Sequence, residues 1–339
     1  MVHAAGPFSF RRLLSALTHP GRPRTIPPMH IKYRIGIMPG PWPKGREGVD
    51  FLWALTDFLE RSGIDSLWLS DRLSSPTPVP EVMTTLAAVA ARTQTLKFGP
   101  SVIVLPYRTP VVAAKEMATL DWLSRGRFFP AVGVGVELPR EFDASGVPFK
   151  ERGRRTDEAI HVIRLLWTQD EVSFQGEFYK LDRVTIFPKP WQTPPPIWIG
   201  GKSEAAIKRT ARVGDGWMPS FITPEELRVG VDRVQELAAA AGREVPEDHF
   251  GTLINFAIAE SSEAALAMAQ PFIQRGRVDE ATMKQCTAFG PVDTVIAKVE
   301  EYVKAGASKF ILRPLCPSER MLEQLAVIAE HVAPEYHRR

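Results

Sequence analysis

Cysteine and long apolar runs are scarce in this sequence, and each scarcity excludes a class of protein. The 339 residues include only two cysteines, Cys286 and Cys316, and neither belongs to a CxxC or Cys/His ligand pattern. This usage favours a reducing compartment and argues against a structural zinc site. No apolar run approaches the roughly 20 residues that a membrane helix needs, so we expect no membrane span and a cytoplasmic protein.

An excess of one charge is also missing. Lys and Arg total 42 against 39 Asp and Glu, and the formal net charge of +3 is too small for a nucleic-acid or membrane-surface footprint. No acidic residue precedes Glu47, so the N-terminal segment is basic, but its apolar piece is too short for a signal-peptide core. We expect residues 1–30 to be a flexible basic tail, or an overlong start assignment with Met29 as the true start.

Several motifs of known chemistry are incomplete. The segment 196–203 ends like a phosphate-binding loop, but Pro196 occupies the first glycine position. Gly133-Val134-Gly135 begins like a dinucleotide fingerprint, but Leu138 occupies the third glycine position. The seven histidines form no clustered ligand set, and no Gly-x-Ser-x-Gly elbow is present. A P-loop NTPase, a Rossmann NAD enzyme, a metal centre and a serine hydrolase are therefore disfavoured.

What the sequence does contain is a regular alternation of β-rich and helical segments. The chain is 44% hydrophobic and 24% charged, which is ordinary for a globular protein. The predicted strands are 34–38, 66–70, 96–104, 128–134, 196–200, 216–219, 251–258 and 309–313. Eight βα units predict an α/β protein with a single (β/α)8 barrel over residues 31–335, although periodicity alone leaves an open doubly wound sheet as an alternative.

Two segments depart from the alternation. Residues 172–181 alternate at period two around a glycine, which predicts a β-hairpin insertion between the fourth and fifth strands. Residues 274–291 read as an irregular insertion ahead of the last helix and strand, and as a candidate lid. Because barrel enzymes place their active sites at the carboxyl ends of the strands, site residues should directly follow each strand.

Three such places carry candidate residues, each with a purely structural alternative. Asp71 ends the second strand, where it is either an acceptor or base at the barrel mouth or a cap of the next loop. The segment 99–102 is either a bulge that brings backbone close to a ligand or a strand start after a proline. At 200–204, two glycines precede Lys-Ser and a helix; this turn either exposes amides to a phosphate or is a simple serine N-cap.

Taken in order, these segments resemble the luciferase-like monooxygenase superfamily, and in particular its F420-dependent oxidoreductase branch. The likeness covers roughly residues 31 to 335. It is carried by the segments 70–71, 99–102, 105–110, 115–127, 132–135, 149–158, 198–201 and 214–217.

The resemblance implies a (β/α)8 barrel that binds F420, or alternatively FMN, in its mouth. Asp71 would then contact the cofactor ring, and Ser101 and Val102 would support the ring through a non-prolyl cis peptide. Gly133 and Gly135 would let the chain pass close to the cofactor. The residues implied at the phosphate are Gly200, Gly201, Lys202, Ser203 and Glu204.

Two departures from the family pattern bear on the chemistry. Several members have a histidine directly after the aspartate of the second strand, where this chain has Arg72. Sugar-phosphate dehydrogenases of the family have a glutamate where this chain has Val136, and Glu137 is only adjacent to that position. We therefore expect Arg72 to bind an anionic substrate or polarise a carbonyl, with Asp71 and Arg72 as the candidate catalytic residues.

The resulting prediction is an F420-dependent oxidoreductase that transfers a hydride between the deazaflavin and a small organic substrate. An FMN-dependent monooxygenase that uses oxygen, a non-catalytic flavin- or deazaflavin-binding protein, and a barrel enzyme without a redox cofactor remain as alternatives. Neither nucleic acid nor membrane is an expected partner, and the resemblance implies a homodimer.

Overall fold

Parallel strands and helices alternate along the chain in the computed structural model, which describes residues 31–75, 77–135, 138–273 and 279–337. The predicted tail, residues 1–30, lies outside these ranges. The strands are β1 (Arg34–Ile37), β2 (Ser66–Leu69), β3 (Lys97–Pro100), β4 (Ile103–Val104), β5 (Ala131–Gly133), β6 (Val172–Gln175), β7 (Lys180–Val184), β8 (Trp198–Gly200), β9 (Gly216–Met218), β10 (Gly251–Ile258), β11 (Thr287–Gly290) and β12 (Lys309–Pro314). The helices are α1 (Glu47–Ser62), α2 (Val82–Arg92), α3 (Pro110–Leu123), α4 (Pro139–Ser145), α5 (Arg152–Thr168), α6 (Glu204–Val213), α7 (Pro224–Ala240), α8 (Ser262–Ala269), α9 (Glu280–Cys286), α10 (Val292–Lys304), α11 (Met321–Val327) and α12 (Ala333–His337).

The strands around the core close into a ring. One sheet has the order β11-β10-β12-β1-β2-β3, and a second has the order β4-β5-β8-β9. Isolated parallel bridges join the sheets at both ends, between Phe98 and Phe128 and between Trp217 and Phe250. The ring therefore runs β1, β2, β3 with β4, β5, β8, β9, β10 and β12. The predicted parallel α/β architecture is confirmed, and because both edges of the second sheet are bridged, the open-sheet alternative does not apply.

Burial on both faces explains why the strands read as nearly continuous apolar runs. All four residues of β2 are buried. Trp68 points inward, where it packs with Met38 and Trp198, whereas Leu67 and Leu69 point outward against the helices. Strands covered on both faces have no polar side, which is the pattern of parallel sheets in α/β proteins.

The predicted third strand, 96–104, is divided in the structure. β3 ends at Pro100 and pairs with β2, and β4 begins at Ile103 and pairs with β5. The peptide bond between Ser101 and Val102, at the division, is cis, as the family resemblance implies. The chain thus changes its pairing partner in the middle of one apolar run, which sequence periodicity alone does not indicate.

The two departures from alternation have different structures. β6 and β7 pair antiparallel in the interval between β5 and β8. Of the segment 274–291, the described part is regular, with α9 followed by β11, which pairs parallel with the last half of β10. The Asp279 side chain caps α9 by accepting the Thr282 N–H. β11 lies on the side of β10 opposite β12, and it pairs there beyond Leu253, which is bridged to Ser220 after β9. Within the described residues, no helix has the length and apolar character needed to cross a membrane.

Candidate active site

A cleft of about 580 Å³ opens at the carboxyl ends of the barrel strands. Its wall brings together residues from β2, β4, β5 and β8 that lie far apart in sequence. Among the sequence-predicted residues, those that line it are Asp71, Arg72, Ser101, Val102, Gly133, Gly135, Gly200 and Gly201. The remaining predicted residues, Lys202, Ser203 and Glu204, follow directly at the start of α6 and are exposed. Val136 and Glu137 lie outside the described residues.

Asp71 is buried, and both of its carboxylate oxygens are bound by the protein. Arg108 donates to Oδ2 at 2.6 Å and to Oδ1 at 3.2 Å, and the backbone N–H of Val104 donates to Oδ2 at 2.8 Å. Arg108 also reaches Glu81, the cap of α2, at 3.0 Å. Burial alone would lower the pKa of Arg108, but the hydrogen bonds that it donates to Asp71 and Glu81 raise it, so the guanidinium stays charged. Asp71 therefore fixes β4 and its following turn to the end of β2.

Arg72 belongs to a second charged cluster, which the sequence analysis did not identify. Its Nε and Nη2 donate to Glu141 Oε1 at 2.9 and 2.7 Å, and Nη2 also donates to the Ser74 carbonyl at 3.2 Å. The Tyr107 hydroxyl donates to the other oxygen of Glu141, Oε2, at 3.0 Å. Glu141 is only 1% exposed, and both Arg72 and Glu141 line the cleft. We call Arg72, Glu141 and Tyr107 the proton cluster.

The electrostatics of the proton cluster keep its phenol protonated. Burial raises the pKa of Tyr107 well above its ordinary value, and the hydrogen bond to Glu141 raises it further. The Tyr107 hydroxyl lies 3.4 Å from the position that a Cβ on Gly135 would occupy, so it stands at the glycine-lined wall of the cleft. The cluster combines a fixed cation, a buried anion and a proton donor beside one cavity.

Val102 projects between two glycines that have no room for a side chain. A Cβ on Gly133 would lie 2.5 Å from Val102 Cγ2, and a Cβ on Gly200 would lie 2.4 Å from Val102 Cγ1. Contacts that short would force Val102 to move. The glycines of β5 and β8 thus determine where the Ser101–Val102 segment sits in the cleft, and we call this segment the platform.

The turn at the start of α6 is a serine N-cap, and phosphate binding there stays a prediction. Ser203 is the N-cap, and its side chain accepts the Ala206 N–H at 3.3 Å. The Gly201 carbonyl accepts a 2.8 Å hydrogen bond from Trp217 Nε1, which fixes the peptide at the cleft wall. Gly201 has φ +99°, a conformation that side chains disfavour. First-turn N–H groups lack intrahelical acceptors, so this capped turn can also hold an anion. The exposed Lys202 side chain lies 3.4 Å from Glu226.

In the ranges that the structure describes, no three His, Cys, Asp or Glu side chains come together as a potential metal site.

The chain is thus an α/β protein whose parallel strands form a ring, with a glycine-lined, partly charged cleft at their carboxyl ends. The family model for luciferase-like monooxygenases matches residues 29–279, and the chain belongs to that family. This confirms the resemblance drawn from the ordered motifs.

Relatives within the family differ in cofactor. An uncharacterized protein of Mycobacterium tuberculosis is 39% identical over 185 residues, which span 53% of this chain and 62% of that protein. An F420-dependent glucose-6-phosphate dehydrogenase of Amycolatopsis mediterranei is 29% identical over 81% of this chain and 91% of its own length. An FMNH2-dependent dimethylsulfone monooxygenase of Pseudomonas putida is 34% identical over 58% of this chain and 56% of its own length.

Solved structures show the same fold at lower identity. The monooxygenase RslO1 of Streptomyces bottropensis superposes with a TM-score of 0.80 and 24% identity over 89% of this chain and 99% of its own. An F420-dependent secondary alcohol dehydrogenase superposes with a TM-score of 0.78 and 20% identity over 91% of this chain and 100% of its own.

Proposed function

We propose that this protein is an F420-dependent oxidoreductase that moves a hydride between the deazaflavin and the carbonyl or alcohol carbon of a small organic substrate. The observation that carries the proposal is the proton cluster, because two of its members, Arg72 and Glu141, line the same cleft as the platform and Tyr107 is hydrogen-bonded to Glu141. Reducing a carbonyl requires a proton at oxygen as well as a hydride at carbon, and this cluster has a positioned proton donor. The resemblance of most of the chain to an F420-dependent dehydrogenase supports the assignment.

The residues present fit a flat ring carrying a phosphorylated side chain. The platform offers a surface against which a ring can lie, and the close contact of Val102 with Gly133 and Gly200 fixes its position in the cleft. The capped turn at Gly201 and Ser203 lies at the end of the adjacent strand β8 and suits an anion. A bound deazaflavin would supply a carbon that donates or accepts a hydride, while the protein supplies orientation and electrostatics.

The chain's own residues handle charge and the proton. Arg72, oriented by Glu141, would stabilise negative charge that develops on the substrate oxygen. Tyr107 would give its hydroxyl proton to that oxygen, since an alkoxide is a stronger base than a phenolate. Glu141 holds both groups in place from its buried position. Asp71 would act indirectly. Its carboxylate binds Arg108 and the backbone N–H of Val104, and so holds β4 in place next to the platform.

The main rival is an FMN-dependent monooxygenase, which the Pseudomonas putida relative favours. The two functions are distinguished by titrating the protein with oxidised F420 and, separately, with FMN. Binding is followed by the quenching of tryptophan fluorescence, because Trp42 lines the cleft. We expect tight F420 binding, weak FMN binding, and oxidation of reduced F420 by carbonyl compounds without oxygen consumption.

Two variants make the titration specific to the cleft. Gly133→Val places a side chain against Val102 and should abolish binding, whereas Gly153→Ala, in α5, meets only the Arg209 side chain at 3.5 Å and should bind normally. A preference for FMN with substrate-dependent oxygen uptake would replace the proposal with the monooxygenase. Saturable F420 binding without turnover over a broad panel of carbonyl compounds and alcohols would instead indicate a cofactor-binding protein.

A further inference from the structure

Three polar side chains lie side by side on strands β11, β10 and β12. The strand register places Asn255 beside Thr287 on one side and beside Arg313 on the other. Register partners in a parallel pair point to the same face, and neighbouring strands are about 4.8 Å apart, so the three span about 10 Å. We call Thr287, Asn255 and Arg313 the polar row. In the ring of strands, β10 is diametrically opposite β3 and β4, which carry the platform.

The polar row faces the inside of the barrel, and its member Arg313 lines the cleft. Leu253 and Ile311 lie two residues before Asn255 and Arg313, and both belong to the cluster of side chains inside the barrel. Side chains two residues apart on a strand share a face. Leu253 and Arg313 themselves line the cleft, together with Phe272 from the segment after α8.

Two members of the row are buried without a partner for a polar atom. Asn255 is 5% exposed and Thr287 is 4% exposed. Within the described ranges, neither Asn255 Oδ1 nor Thr287 Oγ1 has a hydrogen-bond partner. Buried polar side-chain atoms are nearly always hydrogen-bonded in folded proteins, so two adjacent exceptions at a cavity indicate groups reserved for a ligand. Arg313 adds a positive charge at the end of the same row.

We propose that the polar row binds the non-reacting end of the substrate, and that this end carries an oxyanion with a neighbouring hydroxyl. Arg313 would pair with the oxyanion, Thr287 would donate its hydroxyl proton to it, and Asn255 Oδ1 would accept the substrate hydroxyl. This deepens the proposed function, because a substrate held at β10 to β12 would span the cleft towards the platform and the proton cluster.

The first test is binding of small probes in the absence of F420 and FMN. Glycolate, acetate and inorganic phosphate are titrated by ligand-observed NMR. We expect glycolate to bind more tightly than acetate, and Asn255→Leu to remove that difference. Arg313→Gln should weaken all binding about 10- to 100-fold, and Arg313→Lys by less. Phosphate held only at the α6 turn would be insensitive to Arg313. Whether a carboxylate or a phosphate is preferred identifies the oxyanion.

The second test measures thermal stability. If the Thr287 hydroxyl had a purely structural role, removing it would lower Tm, which is the opposite of the result expected here. Thr287→Val removes a hydroxyl without a partner, so Tm should stay the same or rise while anion affinity falls about 3- to 10-fold. The matched control is Thr252→Val on the same sheet, since the Thr252 hydroxyl donates to the Pro219 carbonyl and its loss should lower Tm without affecting anion binding.

Equal losses of Tm in both threonine variants, or anion binding that is unchanged in Arg313→Gln, would overturn the inference. The proposed function fails separately, through loss of the F420 preference, because the probes are measured without cofactor.

Discussion

At the scale of single residues, the central group is Tyr107 with its acceptor Glu141. Tyr107→Phe keeps the ring and removes only the proton donor. We expect kcat with reduced F420 and a carbonyl substrate to fall about 100-fold or more, with unchanged F420 affinity, because a positioned general acid contributes rates of that order. Steady-state kinetics and the fluorescence titration measure the two quantities. A kcat within about threefold of the wild type would remove Tyr107 from the mechanism.

The same residue predicts a pH dependence of stability. Burial, reinforced by Glu141, raises the pKa of Tyr107 above the unfolded value of about 10, so the folded state holds this proton more tightly. The stabilisation is present below that unfolded pKa and is lost as pH rises towards the folded pKa. From about pH 9 to about pH 11, the free energy of unfolding should therefore fall more steeply for the wild type than for Tyr107→Phe. Parallel stability curves for the two proteins would contradict the raised pKa of Tyr107. Tyr302, whose pKa is also raised, is present in both proteins, so it does not affect the comparison.

The sequence predicted which residues line the cleft better than it predicted their partners. Asp71 and Arg72 each follow a recognisable strand end, and both lie where the barrel rule places them. Their partners are not local: Glu141 lies 69 residues from Arg72, and Arg108 lies 37 residues from Asp71. Glu141 belongs to the short helix α4, which has too few turns to show a periodicity. The one signal in the sequence was Arg72 in place of the family's histidine, because a partly buried cation favours a nearby anion.

At the scale of elements, all eight predicted barrel strands have counterparts, because runs buried on both faces are distinctive. The prediction of elements fails where the pairing of strands, and not their composition, determines the structure. β3 and β4 form one apolar run but pair with different neighbours, and β11 is a four-residue strand directly after a helix. Neither the exchange of partners nor the pairing of β11 with β10 is encoded in local hydrophobicity.

The packing of Val102 against the glycines of β5 and β8 gives an element-scale prediction. Gly133→Ala places a Cβ 2.5 Å from the Val102 side chain, so we expect lower Tm and weaker F420 binding, since overpacking typically costs about 1–3 kcal/mol. Adding Val102→Ala removes the clashing methyl groups and should restore much of the Tm. Thermal unfolding and the F420 titration report the two effects. Gly153→Ala is the control, because it adds a methyl group to a helix with space for it.

If Gly133→Ala alone left both Tm and F420 binding at wild-type values, Val102 would not be held by the glycines, and the platform would have to be redefined. If the double variant regained Tm but not F420 binding, the Val102 side chain itself would contact the cofactor.

At the scale of the whole molecule, a buried ion pair links β12 to the residue before β2, the two strands that flank β1. Asp65 precedes β2 and Lys309 begins β12, and their side chains meet at 2.8 Å. Lys309 is only 6% exposed, and its ammonium lies 5.0 Å from the centre of the Phe129 ring. Burial alone would raise the pKa of Asp65, but Lys309 and Lys97 lower it well below its ordinary value. This pair therefore joins the first and last parts of the barrel through two buried charges.

Asp65→Asn should destabilise the barrel strongly, by about 3–5 kcal/mol, because it leaves the buried Lys309 charge without its counterion. Lys309→Met in the same chain removes that charge and should recover most of the loss. The Asp65 contribution is present above the unfolded pKa of about 4 and is lost as pH falls towards the lower folded pKa, so Asp65→Asn should also flatten the acid limb of stability. Urea unfolding of the wild type, the single variant and the double variant at several pH values measures all three effects. A double variant no more stable than Asp65→Asn alone would mean that Asp65 acts through Lys97 or Arg34 at the barrel rim, and not through Lys309.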